Sequence, residues 1–294
     1  MEFRPARALL LLVGAHALFT LLDATGKHLA RDMGVPLIAF IRHGGQVVLM
    51  LAVLGPRHGR ALLKSQRPRL QIYRGLAISG FTLFFFSALL RLPQAEATSI
   101  NFIAPFAVML LAGPLLGERV GRVRWLGAPG GFLGMLAIIR PGSALDPVGI
   151  GFVLLTVVCN VAFQILTRKL ATIDNSLATI FQSALIATIV SAAMLPALGL
   201  WGAWPQHLDR QEILLLLSLG VTGAIGQWLF IRAYFWSSAS FIAPLVFLQV
   251  LWAVASGWVF FDQFPDPISL SGMLLVLVSG VATLVFETRR AAWR

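Results

Sequence analysis

Scarcity narrows this sequence before anything else does. Only 12% of its 294 residues are charged, where a water-soluble domain carries about a quarter. Acidic residues are the scarcer kind, 12 Asp and Glu against 23 Lys and Arg. There is one cysteine, Cys159, so no intrachain disulfide staples the fold, and the redox compartment stays open. No gap between apolar runs is long enough for an extramembrane domain. Catalytic signatures are missing too: no HExxH, no GxSxG, no Walker motif. The five histidines, His16, His28, His43, His58 and His207, have no metal-ligand spacing. These absences argue against an enzyme, a catalytic residue, a bound metal or another cofactor. They leave a solute gradient, rather than ATP, as the energy source for any directed work.

What is present is apolar. Hydrophobic residues make up 58% of the chain, and the mean hydropathy is +0.84. Apolar runs of about 16 to 24 residues recur from end to end, most of them long enough to cross a hydrocarbon layer roughly 30 Å thick as a helix. Helices are predicted near 8–27, 36–54, 72–90, 95–117, 124–139, 148–167, 176–199, 212–233, 238–261 and 268–286. Gly55-Pro56, Pro93, Pro141-Gly142, Pro147, Pro205, Pro265 and Pro267 punctuate the gaps. Arg4 and Arg7 precede the first run as they would in a signal peptide. That run goes on past signal length into Asp23, Lys27 and Arg31, so it is read as a retained first helix.

The formal charge of +11 has a membrane explanation. With the N-terminus in the cytoplasm, seventeen of the basic residues fall on the cytoplasmic side, among them Arg57, Arg74, Arg168 and Arg289. Five fall outside: Lys27, Arg31, Arg91, Arg140 and Arg210. Arg42 lies within a helix. This asymmetry follows the positive-inside pattern and predicts both termini in the cytoplasm. No basic stripe interleaves with aromatics, so the expected partners are lipid and a small solute, not nucleic acid. The chain also repeats. Lys27 to Ala30 reads KHLA and Arg168 to Ala171 reads RKLA; FIAP occurs at 102–105 and again at 241–244. The expected architecture is an all-α membrane protein of ten transmembrane helices. It divides at 1–142 and 143–294 into two five-helix repeats, and the odd count makes the second repeat insert upside down.

Charge is expensive in lipid, so polar residues inside the helices are the candidates for function. His16, Thr20 and Asp23 share one face of the first helix. Arg42 and Gln46 share a face of the second, and the short connection between these helices brings Asp23 and Arg42 within reach of each other. Asn101 lies one turn before Pro105, Asn160 and Gln164 share a face, and Gln249 precedes Trp252. Phe81, Phe84 and Phe85 form an aromatic stripe on the third helix. The candidate substrate-binding set is Arg42, Asp23, His16, Gln46, Phe85, Asn101, Asn160, Gln164, Gln249 and Trp252. For each residue a structural ion pair, a helix-to-helix bond or plain packing is the competing account. Pro105 and Pro244 stand in corresponding helices of the two halves, and paired helix breaks of this kind point to a transport site. The glycines 127, 130, 131 and 134 read as helix packing, within the bundle or between the protomers of a homodimer.

The segment from Phe84 to Gly142 resembles the EamA-type half of the drug/metabolite transporter superfamily. The residues that carry the likeness are Ala95, Ala97, Pro105, Gly117, Glu118, Gly127, Gly131 and Gly134. The second half is similar to a degenerate copy, with Gln249 in the place of the proline and Asp262 in that of the acid. The resemblance implies two inverted five-helix repeats and export of metabolites by alternating access. Among such proteins the chain looks most like amino-acid exporters of the YddG type. The expected function is therefore secondary export of small metabolites, foremost aromatic and neutral amino acids. A drug or cationic-solute exporter with Asp23 as its anchor is the alternative, and a non-transporting membrane enzyme or assembly protein is the alternative of another class.

Overall fold

The computed structural model describes residues 5–116, 122–140, 145–171, 173–200, 205, 208–236 and 247–292. Within them the chain is helical, with no strand among the described residues. The helices are α1 (Pro5–Met33), α2 (Val35–His58), α3 (Pro68–Leu89), α4 (Gln94–Asn101), α5 (Ala104–Leu116), α6 (Arg122–Ile139), α7 (Pro147–Ala171), α8 (Ser176–Leu200), α9 (Arg210–Trp236), α10 (Leu248–Phe261) and α11 (Pro267–Ala292). With α4 and α5 counted as one interrupted crossing, these make ten. Among the described residues six helices, α1, α2, α3, α7, α8 and α9, are individually long and apolar enough to cross a membrane.

Local chemistry sets the ends. Pro68, Pro147 and Pro267 open their helices, where a missing N–H costs nothing and a fixed φ is already helical. Gly34, at φ 73°, makes the sharp turn between α1 and α2. Asp262 closes α10 in the left-handed region, its amide donating to the Trp258 carbonyl at 3.1 Å and the Gln263 amide to Gly257 at 3.0 Å, as in a Schellman cap. The break at Phe102 and Ile103 has a clear origin. Pro105 cannot donate to the carbonyl of Asn101 four residues back, so the helix is interrupted and restarts at Ala104.

Packing runs between the halves more than within them. α1 packs chiefly on α9, α3 on α7, α6 on α11, and α2 on both α8 and α9, while α8 also meets α3. If each helix of α1–α6 is exchanged with its counterpart in α7–α11, this set of pairings maps onto itself. α1 and α2 touch only slightly despite their short link, because α9 takes the place beside each. The crossing of α2 and α9 is backbone on backbone: a Cβ placed on Gly45 would come within 2.7 Å of the Gly220 Cα. Large apolar side chains such as Leu10, Val53, Val158, Leu217 and Val259 stay exposed around the outside, where lipid rather than water would receive them.

The two ends of the bundle are built differently. At the end that carries Met33, Leu89 and Phe261, Lys27 is buried and its Nζ donates to the Leu92 carbonyl at 2.9 Å and to Gln263 Oε1 at 3.0 Å. Gln94 donates to the Thr20 carbonyl and accepts from Ser256 Oγ. Outside this seal, Arg91 pairs with Asp146 and Arg140 with Asp266, both at 2.9 Å. The Asp266 carboxyl is held down at about 2 by hydrogen bonds from the Ser269 hydroxyl and amide, with further help from Ile268 and Arg140. At the opposite end, Asp174 in the α7–α8 turn accepts from Ser65, the Gln66 amide and Gln71. Burial works against its charge, but these three bonds together keep it below the usual carboxylate range.

Arg74, counted on the cytoplasmic side at the start of the predicted 72–90 helix, is not solvated there: it is buried two turns into α3, donating to Thr167 Oγ1 at 2.7 Å, the Thr179 carbonyl at 2.9 Å and Ser183 Oγ, and stacked on Phe163.

Candidate functional site

A cavity of ≈ 630 Å³ opens inside the bundle. Pockets of this size hold drug-sized ligands. Its walls come from both halves. α1 contributes Phe19 and Asp23, α2 Arg42, and α3 Phe81 and Phe85. The interrupted crossing contributes Thr98, Asn101, Phe102, Pro105 and Val108, so the break itself lies in the wall. α7 presents Asn160, Phe163, Gln164, Thr167 and Arg168; α9 presents Gln227 and Phe230; α10 presents Gln249.

The polar groups are organised. Asn160 Nδ2 donates to Asn101 Oδ1 at 3.2 Å, and Gln164 Nε2 donates to Asn160 Oδ1 at 3.1 Å. This amide chain spans the two halves. Asn160 uses both its amide nitrogen and its oxygen in the chain, whereas Asn101 Nδ2 and Gln164 Oε1 take no part in these two bonds and can meet a solute. Arg42 lies over the Phe86 ring at 5.6 Å, and its Nη1 has no hydrogen-bond partner. Asp23 is its electrostatic neighbour. A free guanidinium proton and a buried carboxyl on one wall are complementary to the carboxylate and ammonium of a zwitterion. The remaining lining is aromatic. Phe81 and Phe85 stack at 5.6 Å, and Phe102 packs on Phe247 at 5.2 Å, leaving flat faces for a planar or apolar body. The lining runs from Asp23 and Arg42, on the side of the sealed end, to the exposed Arg168 in the last turn of α7.

Seven of the ten predicted residues line this cavity: Asp23, Arg42, Phe85, Asn101, Asn160, Gln164 and Gln249. His16 stands behind the wall, 1% exposed, edge-on to Phe19 at 6.4 Å and to Phe230 at 6.1 Å, with Gln249 as a neighbour. Gln46 is absent from the lining. It follows Gly45, where α2 is pressed against α9. Trp252, 37% exposed on α10, is also absent from the lining. The sequence reading missed Phe19, Thr98, Phe163, Thr167, Gln227 and Phe230. Phe163 and Thr167 were within reach of it, because they continue the Asn160–Gln164 face at helical spacing. Gln227 and Phe230 offered no such signal. Pro244, Gly117 and Glu118 lie outside the described residues. Among the described residues no group of His, Cys, Asp and Glu is arranged to hold a metal.

With this geometry in place, similarity to known proteins has a site to refer to. Residues 6–140 match the EamA-like transporter family. The chain is 27% identical to the pseudopaline exporter CntI of Pseudomonas aeruginosa strain UCBPP-PA14, over 93% of this chain and 94% of that one. It is 25% identical to an S-adenosylmethionine uptake transporter of Rickettsia conorii, over 91% and 88%, and 24% identical to a riboflavin transporter of Vibrio cholerae, over 99% and 97%. A solved crystal structure shares its fold at a TM-score of 0.64 and 20% identity, covering 96% of this chain and 98% of its own. The narrower likeness to amino-acid exporters finds no counterpart among these three relatives, which move other solutes and in both directions. The family and the relatives are transporters rather than enzymes.

Proposed function

We propose that this chain is an EamA-like membrane transporter and that it moves zwitterionic metabolites with an amino-acid head and a planar or apolar body, by alternating access between two inverted halves. The observation that carries the reading is the pairing of Arg42 and Asp23 on one wall of a cavity otherwise lined by amides and phenylalanines. Arg42 takes the carboxylate through its free Nη1, Asp23 takes the ammonium, the Asn101–Asn160–Gln164 chain orients the middle of the solute, and the Phe81–Phe85 face receives the body. The cavity is larger than a single amino acid needs. That favours conjugated solutes over the free amino acids expected from the sequence, though aromatic amino acids remain within the class. S-adenosylmethionine, the solute of one relative, has the same combination of an amino-acid end and a flat heterocycle. A cationic-drug exporter is less well supported, because Arg42 beside Asp23 repels a pure cation.

Alternating access is supported by three features. One end is sealed by Lys27, Leu92, Gln94 and Gln263 while the cavity extends toward the other. One wall is an interrupted helix, the kind of element that lines substrate sites in transporters. The helix pairings are reciprocal between the halves. With both termini in the cytoplasm, the sealed end faces outward and the cavity faces inward, ready to load a solute for export.

The test is uptake into proteoliposomes of labelled S-adenosylmethionine, tryptophan and alanine, by wild type and Arg42→Ala. Flux of the first two, lost in the folded variant, is the expected result. Flux of a permanent organic cation with none of any zwitterion would overturn the substrate class, and equal flux in Arg42→Ala would remove Arg42 from the site.

A further inference from the structure

The sealed end holds a second pair of opposite charges that the substrate site does not use. Glu96 lies in the first turn of α4, 4% exposed, and its Oε2 has no hydrogen-bond partner. Among the described residues, the carboxyl's hydrogen-bond partner is its own backbone amide. Lys27 is 2% exposed and bonds two neutral oxygens, the Leu92 carbonyl and Gln263 Oε1, with its ammonium 4.8 Å from the centre of the Phe261 ring. They are electrostatic neighbours of opposite sign, not joined by a direct ion pair. A buried ammonium with only neutral ligands, beside a buried carboxylate with an unfilled oxygen, is a pair whose burial depends on both charges being present.

We propose that Glu96 is a proton-binding site, and that taking up a proton there opens the sealed end. The proton comes from water on that side and bonds to a carboxylate oxygen, making the side chain neutral. Lys27 is then a buried cation without a counter-charge. The cost of keeping it dry falls on the contacts of α1 with α4 and with the α10–α11 turn, and it is relieved when water enters between them. The other charges facing Glu96 do not replace this partner. Asp266, at the start of α11, is also acidic and is already held by Arg140 and Ser269. Arg91 is paired with Asp146. Arg31, which faces the Phe261 ring beside Lys27, adds positive charge to the same side. α10 contributes only the neutral Ser256 and Gln263. The site thus binds one proton with one cationic neighbour whose hydration follows.

The inference rests on the transporter reading for its purpose, but its test needs no solute. Ser256→Cys, a near-isosteric change at a residue 6% exposed in the seal, is made in a Cys159→Ser background. The purified full-length protein is labelled with a hydrophilic maleimide, and rates are corrected for thiolate content with a free-thiol peptide in the same buffers. In this parent, corrected labelling quickens on acidification by up to about tenfold per pH unit, the slope for one linked proton. With Glu96→Gln it is fast and independent of pH. Lys27→Met reverses the trend. A lone buried carboxylate now favours opening in alkali, and its neutral form in acid closes the end, so the slope changes sign. Flat labelling in the parent, or an unchanged acid response in Glu96→Gln, overturns the proposal. If Glu96→Gln does not fold, the sign of the Lys27→Met response decides alone: reversal supports the proposal, and an unchanged slope overturns it. Loss of solute flux with this labelling pattern intact would fault the substrate reading and leave the proton site standing.

Discussion

At the scale of single residues, surroundings decide whether a polar side chain is committed to structure or left with a donor to spare. Arg42 and Arg74 are both arginines inside apolar helices. Arg74 spends its donors on Thr167, Thr179 and Ser183, whereas Arg42 keeps Nη1 free at the cavity. Replacing Arg42 with Ala removes a charge-assisted bond worth ~1.5–3 kcal/mol, so the half-saturating concentration of a zwitterionic solute rises about 10- to 100-fold. Flux titrations on the folded variant check this, and Arg42→Lys should recover part of the loss. Asp266 answers to pH instead. Its folded value of about 2 lies below the ordinary 3.8, so its contribution is complete above that value and is lost as the pH falls toward 2. The melting temperature in detergent should fall over that acid range, and Asp266→Asn should flatten the fall; the group is exposed, so the effect is small. Much of this was legible in the chain. A charged residue within an apolar run announces itself, and Asp23 and Arg42 were found that way. Glu96 was not, because it stands just after Pro93 where a loop acid is unremarkable, and only the fold reveals that α10 and α11 cover it. Arg74 was read only as one more cytoplasmic-side charge, because nothing local to it shows that Thr167, Thr179 and Ser183 of the second half will take its donors.

At the scale of elements, interruptions and close crossings matter more than helix length. The α4–α5 break was readable from Pro105, since a proline inside an apolar run removes a specific backbone bond. Pro105→Ala permits that bond to re-form, which straightens the crossing and moves Asn101 and Phe102 in the cavity wall. Transport should drop severalfold while thermal stability holds or rises, and the two measurements on one preparation separate these effects. The α2–α9 crossing was not readable: Gly45 and Gly220 stand in runs with other glycines, and nothing in sequence says which pair meets. Gly220→Val drives a side chain into the Gly45 backbone, which cannot rotate aside. It should cost ~1–3 kcal/mol, seen as a lower melting temperature. Gly151→Ala is the control. A Cβ there meets nothing within 4 Å in the interior of α7, and the change should stabilise by ~0.4–1 kcal/mol.

At the scale of the whole molecule, the two halves expected from the sequence are not two domains by packing. Short identities such as KHLA and RKLA raised the expectation of a doubling. They could not show that α1 would settle on α9 and α3 on α7, because partner choice depends on shape across the bundle and not on local pattern. Residues 1–142 expressed alone should therefore fail to form a stable particle, and co-expression with 143–294 should restore one; size-exclusion chromatography of the tagged halves checks both. This interleaving also sets a problem of timing during synthesis. The ribosome adds roughly 5–20 residues per second, so α1–α6 wait on the order of ten seconds for the helices that will cover them. Throughout that interval Lys27 lacks Gln263 and Asn101 lacks Asn160, so the nascent chain needs a protected place beside the insertion machinery until its second half arrives.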